Sequence, residues 1–392
     1  MIYLVTTTPY PYGFAATKRV HLLASGMNRE VQCEVIVSSR VASKALQKEN
    51  KDIEGDYNGV HYRYTTKELY ASTNPLKRRL DDIVDVHVTC AYLLSHLRPG
   101  DIAYLFMRDN YAERCITKTT HRLGCKCVRE LCELPYVTGK ETFYMKFMRF
   151  VSLNFVLPKY DAIIAISETL MEVAKKYCKK NTKIIKIPIL IDSSKVSGNK
   201  ATNSESFNLF HAGTLTQQKD GIVTIFEAIG KLKKEYGIEF PFCLTGNLNS
   251  SPEAEQIRAI IEKYDLNNIQ FLGYVSNEEV ESRINGSSFL ILYKTNNLQN
   301  KYCFATKLGE YLNAAKVIIT TDFGEQVHYL KDRFNSLMVK EGDIEALVSA
   351  IKWVIDNPGS HYSIQEKARE TSGIYFDYIR NTQMIISEFR GL

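Results

Sequence analysis

The 392 residues exceed what one compact core ordinarily organises and suit two domains of common size, about 100 to 200 residues each. With 45% apolar and 24% charged residues, and only 21 Gly and 10 Pro, the composition excludes collagenous, low-complexity and disordered classes. The net charge of +6 is unevenly placed: residues 1–190 hold 29 Lys plus Arg against 19 Asp plus Glu, and the remainder 21 against 25. A basic first half either faces something anionic, such as phosphate-bearing substrate or phospholipid, or is a solvated basic surface. Without RNP motifs, zinc-finger spacing or basic-aromatic repeats, nucleic acid is not an expected partner.

In chain order, residues 2–7 form a short β-branched run with no basic leader or cleavage site, so they read as a first strand and place the protein in the cytosol. The loop 7–19 follows, where Gly13 would let backbone come close to a phosphate or sugar ahead of a helix N-terminus. It lacks G-x-G-x-x-G spacing, which disfavours a nicotinamide or flavin cofactor. Further apolar runs at 32–38, 102–106, 126–130, 162–166 and 182–187 alternate with helical segments, the pattern of parallel strands buried on both faces.

Between them, 75–79 (Pro-Leu-Lys-Arg-Arg) is a basic cluster, and Glu130 and Glu133 stand where a strand runs into Pro135. Those acids are active-site candidates, or salt-bridge partners of Arg129 and Arg108. Segment 142–157 mixes aromatic bulk with Lys146 and Arg149, as an interfacial helix does, with a core helix as the alternative. No window supplies the ~18 uncharged apolar residues of a membrane span. The nine cysteines lack metal-knuckle spacing and are expected to be reduced, buried small hydrophobes.

The polar stretch 193–206 reads as a linker between a first domain, 1–192, and a second, 207–372. The second series of strands is expected at 207–211, 240–244, 269–271, 289–292, 317–320 and 336–339. Two doubly wound α/β domains follow, with function in a cleft at the carboxyl ends of their strands. There, Gly213 turns the chain and Lys219 precedes a helix from 222, so that a lysine at a cleft mouth can bind diphosphate as a point charge. Thr306 is placed to cap a helix starting at Lys307, leaving N–H groups, the dipole and the Lys307 charge to bind an anion, with Glu310 one turn further in for ribose hydroxyls. The final segment, 375–392, carries an apolar helical stripe expected to pack back on the first domain.

Taken together, the Gly13 loop, E-L-x-E-x-P at 130–135, I-S-E at 166–168, I-P-x-x-x-D at 187–192, A-G-T-L with K-D-G, and F-x-T-K-L-G-E-Y-L resemble the retaining nucleotide-sugar glycosyltransferases of family 4, over essentially the whole chain. The resemblance implies the GT-B fold, two Rossmann-like domains facing a central cleft, with the first binding acceptor and the second the nucleotide sugar. It implies ribose binding by Glu310, diphosphate binding by Lys219 and the backbone of Thr306, Lys307 and Leu308, donor contacts from Gly13 and Gly213, and a catalytic part for Glu133, Lys219 and Glu310. Two positions depart from the family pattern: Tyr302 replaces the first glutamate of the paired signature, and Thr214 replaces an arginine on the diphosphate.

With no D-x-D pair in a context suited to metal, the implied transfer needs no cofactor, and lysines and helix dipoles stabilise the departing diphosphate. The expected donor is a UDP- or GDP-sugar, and the expected acceptor a glycan or polyprenyl-linked molecule of cell-surface polysaccharide synthesis, reached from the cytoplasmic face of an anionic membrane. A nucleotide-sugar epimerase and a non-catalytic sugar-nucleotide-binding subunit are the alternatives.

Overall fold

The computed structural model describes residues 1–137, 141–195 and 207–392. It divides into one unit of Met1–Asp192 with Tyr378–Leu392 and a second of Ser193–Asp377. The expected linker lies for its larger part, 196–206, outside the described residues.

In the first unit an eight-stranded sheet runs β3-β4-β2-β1-β5-β6-β7-β8, built from β1 Ile2–Thr6, β2 Cys33–Val37, β3 Glu54–Tyr57, β4 Val60–Tyr64, β5 Ile102–Phe106, β6 Lys126–Leu131, β7 Ala162–Ala165 and β8 Lys183–Lys186. All pairs are parallel except β3 with β4. β1 and β2 are buried at every residue because helices cover both faces of a parallel sheet. The β3–β4 hairpin was not anticipated from the apolar runs. Its turn, Asn58-Gly59, has φ of 48° and 78°, the left-handed pair that a two-residue hairpin needs and that Asn-Gly supplies.

The second unit has a six-stranded parallel sheet of order β11-β10-β9-β12-β13-β14, from β9 Leu209–His211, β10 Phe242–Leu244, β11 Ile269–Phe271, β12 Phe289–Leu292, β13 Val317–Thr321 and β14 Leu337–Val339. Each unit buries its own apolar core.

The terminal segment behaves differently from one continuous stripe. A break at Asp377 (φ −58°, ψ 126°) separates the helix His361–Phe376 from Tyr378–Phe389. Tyr375 and Phe376 pack on Tyr329 inside the second unit, whereas Ile385, Ile386 and Phe389 enter the core of the first. All nine cysteines are free, with Cys33, Cys90, Cys125 and Cys127 buried and the others half-buried.

Candidate functional site

In the second unit, the chain leaves β9 through Ala212-Gly213-Thr214 and enters a short helical turn, Gln217–Asp220. Gly213 is required by packing: a Cβ there would lie 2.3 Å from His211 Nε2 and 2.9 Å from Asp220 Oδ2. Its N–H donates to Thr245 Oγ1 at 2.9 Å, so the residue shapes the loop and does not offer a free donor. Thr214, at the position of the missing arginine, donates to Asp220 Oδ2 through both its N–H (2.9 Å) and its hydroxyl (2.7 Å).

Asp220 is buried and faces Lys294, whose ammonium donates to Oδ1 at 2.9 Å. Burial works to raise the Asp220 carboxyl, but Lys294 and Lys307 together hold it well below the ordinary carboxylate range. His211 is pushed down to about 4 by burial, so it is neutral. Its Nδ1 meets the Ile291 carbonyl at 3.2 Å, while Nε2 is buried with no hydrogen-bond partner among the described residues.

The helix that sequence starts at Lys307 spans Thr306–Asn313. Ala305 is its N-cap and Thr306 its first residue, with no side-chain cap bond, so Thr306 does not cap it as expected. A small hydroxyl before a helical run is the usual cap signal, but the chain turns helical one residue earlier. Leu308 is fully buried and its N–H already donates to the Ala305 carbonyl at 3.0 Å, which removes it from the anion-binding donors. Lys307 is half-exposed by surface yet crowded by protein atoms, and burial together with Lys294 and Lys219 lowers its ammonium to about 8 against the pull of Asp220 and Glu310.

Lys219, Lys294, Lys307, Asp220 and Glu310 therefore share one electrostatic neighbourhood at the carboxyl ends of β9 and β12. Lys219 is exposed and Glu310 half-exposed. Tyr311, buried beside Glu310, accepts through its hydroxyl oxygen from the Ala212 N–H at 3.0 Å and ties this helix to the glycine loop. Lys294 and Asp220 were not singled out from sequence. The cue was a lysine directly after an apolar strand, a place where an unpaired charge would be costly.

Gly13 and Glu133 belong to the first unit. A Cβ on Gly13 would lie 2.0 Å from Thr17 Oγ1 and 3.2 Å from the Pro9 carbonyl, so glycine is needed for the loop to fold onto the start of its helix. Glu133 pairs with Arg108 at 2.7 Å and stays partly exposed. Glu130 instead belongs to the core: Arg19 donates to its Oε1 from Nε at 2.9 Å and from a terminal nitrogen at 2.6 Å, and Tyr104 donates its hydroxyl to the other oxygen. Arg129 pairs with Glu113 at 3.0 Å and not with Glu130.

Residues 193–371 match the family described as Glycosyl transferases group 1. That match spans nearly the whole of the second unit. Over the chain, the fold is that of GT-B glycosyltransferases. HepE from Anabaena, solved with UDP and with UDP-glucose, aligns with 100% of both chains at TM-score 0.73 and 13% identity. Sucrose-phosphate synthase from Thermosynechococcus elongatus aligns at TM-score 0.75 and 13% identity, covering 100% of this chain and 98% of its own. A glycosyltransferase from Rickettsia africae gives 0.70 and 16%, with the same coverage. No curated protein matches the sequence.

Proposed function

We propose that the protein transfers a sugar from a nucleoside diphosphate sugar, UDP- or GDP-linked, to a glycan or polyprenyl-linked acceptor, with retention of configuration. The observation that carries this reading is the gathering of Lys219, Lys307 and Glu310 at the strand ends of a group 1 domain. Exposed Lys219 and the first turn at Thr306–Lys307 offer positive charge to a diphosphate, and Glu310, one turn along, accepts ribose hydroxyls. Charge builds on the diphosphate as the sugar leaves, so these cations serve the transition state more than the ground state, without a metal. HepE's complexes with UDP and UDP-glucose favour UDP. In this reading Gly13 and Gly213 shape the loops around the donor, and Glu133 faces the donor sugar's developing charge.

Slow donor hydrolysis without acceptor tests the reading. A transferase is expected to release nucleoside diphosphate from UDP-sugar or GDP-sugar over hours, and a binding subunit releases none. An epimerase would convert the sugar and return it still bonded to the diphosphate.

For the acceptor, the reading adds a membrane face on the first unit. No helix among the described residues is long and apolar enough to cross a membrane. The helix Phe143–Val151 buries none of its residues, and Phe143 is 87% exposed, with Tyr144, Phe147 and Phe150 exposed beside Lys146. The helix Pro75–His96 adds Leu76, 78% exposed, with Leu80, Ile83 and Val84, next to Lys77, Arg78 and Arg79. Both flank the start of Asn110–Arg122: Asn110 donates to the Met148 carbonyl at 3.0 Å, and Tyr111 meets His87 at 2.8 Å. Apolar side chains framed by cations match an anionic lipid surface, at roughly 1 kcal/mol per cation. Sedimentation with anionic vesicles is expected at ~50 mM salt, weakened at ~500 mM and absent with neutral lipid. No binding under any of these conditions would remove the lipid-linked acceptor from the proposal.

A further inference from the structure

We propose that Lys294 is a positioning residue for the donor's diphosphate: it fixes the turn Gln217–Asp220 in the geometry that presents Lys219 to the phosphates. The proposal rests on the transfer reading of the same site. Lys294 stands just past β12 with its side chain 8% exposed, so it is no surface cation awaiting a ligand. Its ammonium donates to Asp220 Oδ1 at 2.9 Å and to the Lys219 carbonyl at 3.2 Å, and both acceptors belong to that turn.

A four-residue helix cannot hold its shape through its own hydrogen bonds, since helix nucleation is unfavourable. Here the Asp220 N–H to the Thr216 carbonyl and the Gly221 N–H to the Gln217 carbonyl close it from within. The loop after Lys294 supplies the rest. Thr295 and Asn297 donate to the Gln218 carbonyl, and Asn300 Nδ2 donates to the Gln218 (3.1 Å) and Lys219 (3.3 Å) carbonyls. Asp220 then passes the restraint on, because its second oxygen accepts from Thr214. Thr214 thus supplies a tie to the turn at the position where the family pattern has a second cation. A charge held in place before the diphosphate arrives stabilises it more than one that must be ordered on arrival.

The test is calorimetric titration of UDP and of uridine into the intact protein and its Lys219→Ala, Lys294→Met and doubly substituted forms. Lys294→Met is expected to weaken UDP about tenfold and leave uridine unchanged. Because Lys294 acts through Lys219, the double variant should bind UDP no more weakly than Lys219→Ala alone. Lys294→Arg, which retains the charge and the donors, should recover most of the loss. If Lys294→Met fails to fold, Lys294→Met with Asp220→Asn removes both buried charges together, and the same UDP loss is expected. Unchanged UDP affinity, or losses that multiply in the double variant, would overturn the inference and leave the transfer reading standing. A wild-type protein that binds no nucleoside diphosphate would overturn both.

Discussion

A chain ending at Asp377 is expected to lose the fold of its first unit. The helix Tyr378–Phe389 places Ile385, Ile386 and Phe389 in the same core as Ile2, Leu4, Val35 and Tyr104. It also lies so close to the helix Ala15–Met27 that a Cβ on Gly26 would sit 2.2 Å from Thr382 Oγ1. Burying three large apolar side chains is worth about 1.5 to 3 kcal/mol each, a sum comparable with the whole stability of an ordinary domain. The Lys183–Glu388 pair at 2.8 Å, partly exposed on both sides, adds little beside that. Limited proteolysis of the truncated chain should show cleavage within Met1–Asp192. Resistance equal to that of the full chain would contradict the packing argument.

Glu130→Ala should cost about 3 to 5 kcal/mol, because it strands a buried guanidinium. The Arg19 side chain is 4% exposed, and besides Glu130 it reaches, among the described residues, only the neutral Pro188 and Ile187 carbonyls, at 2.6 and 3.1 Å. Those carbonyls can accept its protons but cannot balance its charge. Denaturant unfolding should show a lowered midpoint at unchanged slope. A loss below about 1 kcal/mol would mean that the pair is not the anchor its geometry indicates.

Every strand expected from an apolar run is present, because parallel strands covered on both faces write themselves as continuous β-branched segments. The β3–β4 hairpin escaped that criterion since β3 alternates exposed with half-buried residues and β4 buried with half-buried ones, and Asn58-Gly59 was the signal that marked it. At the candidate site, the identities of Lys219, Lys307 and Glu310 were legible as charges near strand ends and a helix start. Their hydrogen bonding was not. Lys294 meets Asp220 across 74 residues, and Arg19 meets Glu130 across 111. Such pairs follow from strand order, which local patterning does not encode. The expected Thr306 cap failed at a finer scale, where a one-residue shift in the helix start decides which residue is the N-cap and which N–H groups are already bonded.

In the proposed function the second unit holds a nucleoside diphosphate through Glu310 and the neighbouring lysines. Calorimetric titration of UDP into the wild-type protein and into Glu310→Ala tests it most directly, with GDP, ADP and TDP as comparisons. Binding of UDP or GDP by the wild type is expected, with a loss of about 1.5 to 3 kcal/mol in the variant, the worth of charged hydrogen bonds to ribose hydroxyls. Equal affinity in a folded Glu310→Ala protein, or no binding of any of these nucleotides by the wild type, would contradict it.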